Sequence, residues 1–218
     1  KVLAKDSDST NHNKIEYSLL GSKAAEMFDV DTNSGWVRSK AKLDRELESV
    51  YYLTVLATNV DVDHPLVASA MLTIEVRDEN DNEPVIDYPN DYNNTVHISN
   101  QVPVGYQVAF IQAHDDDQGS NAQISFHISG GNEGGAFFID PTTGVLETRT
   151  KLNKYEEKEF DVIISVMDNG FPKGISKSPL HIVVNKSIIY PYQEEEQLLN
   201  TTNVTIVVSL CVASVIII

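Results

Sequence analysis

The run Asp78-Glu79-Asn80-Asp81-Asn82-Glu83-Pro84 sets carboxylates and amides at consecutive positions and closes on a proline. Such a run is a poor strand. Its side chains are hard oxygen donors, the kind Ca²⁺ gathers about six to eight at a time from carboxylates, amide carbonyls and backbone carbonyls. Alone, an acidic run is a solvated linker. Here other acidic motifs stand where they could converge on it: Asp44-Arg45-Glu46 ahead of one long alternating segment, Asp115 and Asp117 followed by Gly119 and Asn121, and Asp168 at the end of a second alternating segment. An Asp-x-Asp bend aims two carboxylates at one point, and asparagine adds a neutral oxygen without adding repulsion. Brought together without a counter-charge, these groups repel one another. A cation between them turns the repulsion into a stiff joint.

Composition narrows the alternatives. The chain has 218 residues, a formal net charge of −16 and a sequence pI near 4.6. That surface repels nucleic acid and anionic lipid, so neither is expected as a partner of the folded part. The one cysteine is Cys211, which leaves the folded part without a disulfide and makes bound metal the candidate stiffener. The histidines are scattered without metal-ligand or triad spacing. No enzyme activity and no small-molecule substrate are expected. Asp29 to Gly35 imitates an EF-hand, but the loop's sixth and twelfth positions hold Ser34 and Lys40 where that motif needs glycine and glutamate, so the segment reads as a turn between strands. Trp36, just after it, reads as a packing residue. Asn93, Asn185 and Asn200 head glycosylation sequons.

The elements that would position the acids come in two copies. A constant offset of 109 residues, as from Gly35 to Gly144, aligns Asp6-Ser7-Asp8 with Asp115-Asp116-Asp117 and Leu43 with Leu152. It also aligns Tyr51, Leu53, Val55 and Ala57 with Phe160, Val162, Ile164 and Val166. No gap is needed, so one domain occurs twice. Apolar residues at every second position predict strands with one buried face over 51–57 and 160–166. Further strands are expected over 15–20, 36–40, 70–76, 95–99, 107–114, 124–128 and 179–184, with turns at Asn33-Ser34-Gly35, Thr142-Thr143-Gly144 and Asp168-Asn169-Gly170-Phe171-Pro172. No segment before the C-terminal tract shows a sustained helical period. The expected architecture is all-β, two tandem Greek-key sandwiches.

These motifs carry a family resemblance. Asp78-Glu79-Asn80-Asp81-Asn82-Glu83-Pro84 resembles the DxNDNxP linker of cadherins, and Leu43-Asp44-Arg45-Glu46 their LDRE motif. The segment Ala113 to Ala122 resembles A-x-D-x-D-x-G-x-N-G, and Phe137 to Gly144 resembles F-x-I-D-x-x-T-G. The resemblance spans about residues 1–186 and implies the seven-stranded cadherin sandwich in each copy, related in fold to the immunoglobulin type. It further implies about three Ca²⁺ ions at the junction of the repeats. Asp44, Glu46 and Asp81, with the backbone carbonyl of Glu79, would serve two ions, and Asp117 would bridge. Asn80, Asp115, Asp117 and Asp168, with backbone oxygens of Asn82 and Asn121, would hold the third. In the first copy Thr10, His12 and Asn59 depart from the pattern, so an upstream junction using Asp6 and Asp8 would bind ions weakly. In the second, Asn100 stands where a glutamate is expected and Asn153-Lys154-Tyr155 replaces Asp-Arg-Glu, so no junction is expected below it.

The expected domains are therefore a repeat over 1–82 truncated at its N-terminus, a membrane-proximal repeat over 83–187, a polar stalk over 188–203 and the start of a transmembrane helix over 204–218. Those last fifteen residues, at ~1.5 Å each, reach roughly 22 Å, short of a hydrocarbon core of roughly 30 Å. The resemblance implies calcium-dependent cell–cell adhesion, with a protocadherin-type receptor favoured. Such a receptor would be a single-pass type I protein of the plasma membrane, its partners other cadherin-family molecules, homophilic in cis or trans. The alternatives are a mechanical tether or the stem of a signalling receptor.

Overall fold

The computed structural model describes residues 1–6, 14–21, 23–60 and 65–189. The candidates Asp8 and Asn200 and the apolar segment 204–218 lie outside them. The chain forms two compact units. The first comprises Lys1–Val85, His114–Ile124 and Met167–Ser176. The second comprises Ile86–Ala113, Ser125–Val166 and the described residues from Lys177 onward.

The strands of the first half are β1 (Ile15–Leu19), β2 (Phe28–Val30), β3 (Val37–Ser39), β4 (Val50–Asn59) and β5 (Val67–Glu75), with a short helix α1 (Lys23–Met27). Five residues cannot display a helical period, which is why α1 is not legible in the sequence. β1, β4 and β5 form an antiparallel sheet, and β2 and β3 pair separately. The alternation in β4 turns Tyr51, Leu53 and Val55 inward, where Phe28, Tyr17 and Val30 meet them. Phe28 and Tyr51 pack edge to face at 5.1 Å.

The second half contains β6 (Val85–Tyr88), β7 (Thr95–Ser99), β8 (Gln107–Phe110), β9 (Gln112–His114), β10 (Ser125–Gly130), β11 (Phe137–Ile139), β12 (Val145–Thr148), β13 (Glu157–Met167) and β14 (Ile175–Asn185). These are nine segments where seven strands are expected, because two strands change sheets. Residues 107–114 pair through β8 with β12 and through β9 with β6. Between them Ile111 is 1 % exposed and donates its N–H to the Gly144 carbonyl. A strand that feeds two sheets must break its ladder where the partner changes. β6 and β7 divide in the same way, β7 running parallel to β14 in the sheet β10-β13-β14-β7. Phe160, Val162, Ile164 and Val166 of β13 and Leu180, Ile182 and Val184 of β14 build the core.

The internal repeat recurs bond by bond. Gly35 and Gly144 both adopt positive φ, 69° and 72°. Each accepts at its carbonyl a 2.9 Å hydrogen bond, from Val2 and from Ile111. A Cβ on either would press on an aromatic ring, Tyr17 or Phe126, and on a backbone carbonyl, so both turns require glycine. The carboxylates of Asp31 and Asp140 close these turns. Asp31 accepts from the N–H of Asn33 and from the N–H and hydroxyl of Ser34, and Asp140 from the N–H groups of Thr142 and Thr143. The EF-hand-like segment is thus a turn closed on one oxygen, Oδ1, of Asp31. Trp36 is not core. It is 51 % exposed, with the Lys1 ammonium 6.0 Å from its ring centre, because the inward positions beside the turn go to Val30 and Val37.

Two outcomes follow. Hydrogen bonds to the ionised form hold both turn aspartates below the ordinary value of 3.8. Their contribution to stability is complete above that value and is lost as pH falls through the lower folded values. Carboxyl NMR titration should give midpoints below 3.8 for both, and a midpoint at or above it would mean open turns. Leu146 is fully buried, and Leu146→Ala should cost the second unit about 2–5 kcal/mol in denaturant unfolding.

Candidate metal centre

The chain leaves β5 at Glu75, is tied once more by the Val76 N–H to the Ser49 carbonyl, and then enters the acidic run. No ladder partner holds it from there, so side chains must. Asn82 donates from its amide to Asp117 Oδ1 at 2.7 Å and to Asp81 Oδ1 at 3.3 Å. Asn121 donates to Asp78 Oδ2 at 2.8 Å. Asn80 donates to Asp168 Oδ2 at 3.1 Å and to the Pro172 carbonyl at 2.6 Å. Asp44 caps its own turn by accepting from the Leu47 N–H at 3.1 Å. Asp115 and Asp117 are set by the bend itself, the Asp117 N–H donating to Asp115 Oδ1 at 2.9 Å.

All the acids and amides singled out for the principal site fall in the first unit. Asp44, Glu46, Glu79, Asp81 and Asn82 line one cavity of about 520 Å³. Asn80, Asp115 and Asp168 gather beside the loop from Asp168 to Gly174. Asp117 faces both groups: it takes Asn82, adds its charge to that of Asp115, and forms with Glu46 and Asp78 a trio of carboxylates whose oxygens lie within 4.8 Å of one another. At an effective dielectric constant near 20, each like-charged pair at about 5 Å costs about 3 kcal/mol before solvent screening.

The loop closing the site was not legible as functional. Asp168 is 1 % exposed and accepts from Gly170 N and Gly174 N, both at 2.8 Å. A Cβ on Gly170 would overlap the Asn80 amide, and one on Gly174 would overlap the Asp168 carboxylate and press on Pro84. The glycines make the room in which Asn80 and Asp168 meet. Only the Asp-Asn-Gly-Phe-Pro turn signal hinted at this. Asp78 was visible as the first residue of the run, yet its place in the carboxylate trio depends on tertiary contacts.

Two observations test whether a hard cation fits. Asn80 Oδ1 and Asp115 Oδ2 are buried without a hydrogen-bond partner in the protein, a costly state for polar oxygens. Burial pushes the Asp115 carboxyl above its ordinary value. The charges of Asp117, Asp168 and Asp116 push the same way, and the Asp117 N–H partly offsets them. The donor set is oxygen throughout, and the residues fit Ca²⁺.

Elsewhere the acids are replaced. Asp6 accepts from the Asn59 amide, so an amide donor stands where the second copy has Asp168. In the second unit Asn100 is 5 % exposed and donates to the Tyr155 carbonyl at 2.6 Å. The Lys154 and Lys158 ammonium groups lie 5.0 and 5.5 Å from the Tyr155 ring centre. Lys154 and Tyr155 thus stand where the first copy has Arg45 and Glu46. Of the sequon asparagines, Asn93 is exposed in a turn, and Asn185 accepts from the N–H and hydroxyl of Ser187 at 2.7 Å.

Comparison with known proteins agrees with the resemblance. The family profile described as "Cadherin domain" matches residues 1–77 and 94–185. Mouse Protocadherin Fat 2 is 33 % identical over 183 residues, covering 84 % of this chain and 4 % of that protein. Human Cadherin-23 is 36 % identical over 170 residues, covering 77 % and 5 %. The chain therefore spans a small fraction of these relatives' length. In three dimensions it is similar to extracellular cadherin domains 3–6 of Protocadherin Gamma B2, with a TM-score of 0.72 and 26 % identity, over 84 % of this chain and 46 % of that one.

Replacing Gly170 by alanine should expel Asn80 and weaken Ca²⁺ binding about tenfold or more in a calorimetric titration, as loss of ligand support commonly does. Gly21→Ala, where a Cβ meets nothing within 4 Å, should leave binding unchanged.

Proposed function

The chain belongs to the cadherin family, and from that premise we propose that it is the membrane-proximal part of a protocadherin-type adhesion receptor, stiffened by Ca²⁺ where two repeats join. Cadherin extracellular domains generally serve calcium-dependent adhesion. The observation that carries the proposal is the convergence of Glu46, Asp78 and Asp117 beside the buried, unpartnered oxygens of Asn80 and Asp115.

The repeats in this proposal are residues 1–82 and 83–187, followed by a stalk over 188–203 and a membrane helix beginning at 204. Bound Ca²⁺ supplies positive charge shared among about three ions. The chain's own residues do the rest. Asp44, Glu46, Asp81 and the Glu79 carbonyl present oxygens from one side. Asn80, Asp115, Asp168 and the carbonyls of Asn82 and Asn121 present them from the other, with Asp117 common to both. Asp168 and the glycine loop hold Asn80, and the Asp115–Asp117 bend holds two carboxylates at a fixed separation. Asn93 and Asn185 would carry glycans. Homophilic contact with other copies, in cis or trans, belongs to the whole receptor, which sits in the plasma membrane by a single helix.

Calorimetry on the whole chain should give cooperative Ca²⁺ binding with dissociation constants of roughly 10⁻⁴–10⁻³ M, typical of extracellular modules. Stabilisation should follow mass action, about 2.7 kcal/mol at one hundred times the dissociation constant. Asp81→Ala should remove most of that stabilisation. A wild-type chain whose melting temperature ignores Ca²⁺ would sink the proposal. Ca²⁺-dependent stiffening in a receptor whose coated beads never aggregate would favour a tether over an adhesive role.

A further inference from the structure

Arg45 places a permanent positive charge among the carboxylates of the proposed calcium centre, where simple electrostatics says it should oppose a cation. Its side chain is 14 % exposed and that of Asp78 is 17 % exposed. Nη2 lies 2.5 Å from Glu46 Oε1 and donates to the Asp116 carbonyl at 2.6 Å. Nε lies 2.5 Å from Asp78 Oδ1. Neither of those two atoms has hydrogen-bond geometry, so this is a charge contact rather than a directed bond. The other oxygen of Asp78 takes the Asn121 amide at 2.8 Å. Asp78 is thus held on both oxygens, by Arg45 and by Asn121, while Arg45 also holds the backbone between Asp115 and Asp117. Three segments distant in sequence are joined by one guanidinium: 43–46, 78–82 and 115–121.

We infer that Arg45 is a positioning residue of this centre: by holding the Asp78 carboxylate and the Asp116 carbonyl together, it sets the linker and the Asp115–Asp117 bend where their oxygens face the cation. The inference rests on the calcium reading proposed above. It makes a prediction of opposite sign to the field argument. Removing a positive charge beside a cation site should strengthen cation binding if the field dominates, and weaken it if placement dominates. Lysine keeps the charge but not the planar fork that reaches Asp78 and the Asp116 carbonyl at once.

The test is calorimetric titration of the whole chain with CaCl₂, for Arg45→Met, Arg45→Lys, Asp78→Asn and the Arg45→Met/Asp78→Asn pair. Melting temperatures are taken in chelator alongside. Arg45→Met and Arg45→Lys should each weaken binding about tenfold or more, the usual scale for groups that orient ligands. Melting in chelator should move little, which separates placement from general destabilisation. The double variant should bind no more weakly than the weaker single, because both substitutions break one linkage. Unchanged or tighter binding by Arg45→Met, wild-type binding by Arg45→Lys, or losses that multiply in the double variant would overturn the inference while leaving the calcium centre standing. A wild-type chain that binds no Ca²⁺ would overturn both.

Discussion

Carboxylates that converge repel, and the first unit of this protein is built so that they converge. Glu46, Asp78 and Asp117 bring their oxygens within 4.8 Å of one another, and Asp115 is pushed toward its protonated form by burial and by its acidic neighbours. The β-fold and the Arg45 guanidinium, 2.5 Å from an oxygen of Glu46 and from one of Asp78, hold them there, since the acids gain nothing from one another. The constraint explains the other features of the site. Amides alternate with acids to supply oxygens without charge. Gly170 and Gly174 stand where a side chain would displace Asn80 or Asp168, and an arginine ties the acidic linker to the neighbouring bend.

The β-scaffold supplies the rigidity this requires. Three of the acidic motifs sit just beyond the end of a strand: the linker after β5, the Asp115 bend after β9, and Asp168 after β13, whose inward face is buried. Strand ends are positioned by the core, while the loops beyond them are free to take the geometry that the oxygens need. The turns closed by Asp31 and Asp140 show the same acidic residue type in another use. There one oxygen of each carboxylate, Oδ1, accepts from the N–H groups of its own turn.

The two copies of the domain have diverged where metal chemistry would occur and have kept what the fold needs. Gly35 and Gly144, Tyr17 and Phe126, and the carbonyl contacts around them are superposable in role. Asn59 hydrogen-bonds Asp6 where the second copy places Asp168, Asn153-Lys154-Tyr155 stands where the first copy has Asp44-Arg45-Glu46, and Asn100 donates to the Tyr155 carbonyl. Each of these asparagines puts an amide where the acidic version has a carboxylate, and so removes a negative charge that an ion would balance.

The amino-acid sequence alone determined the all-β class and the duplication and picked out the acids of the candidate site, because these depend on period-two patterning, self-similarity and residue chemistry, which are local properties. The long strands β4, β13 and β14 were legible for that reason. The break within 107–114 and the strand β6 were not, since each depends on a partner remote in sequence. The same reason governs the site. That Asp78 belongs to the carboxylate trio, that Gly170 makes room for Asn80, and that Arg45 reaches Asp116 are facts of juxtaposition across many tens of residues. Only the tertiary structure decided them, because a repulsion or an unpaired oxygen exists only once the fold has brought its neighbours into range.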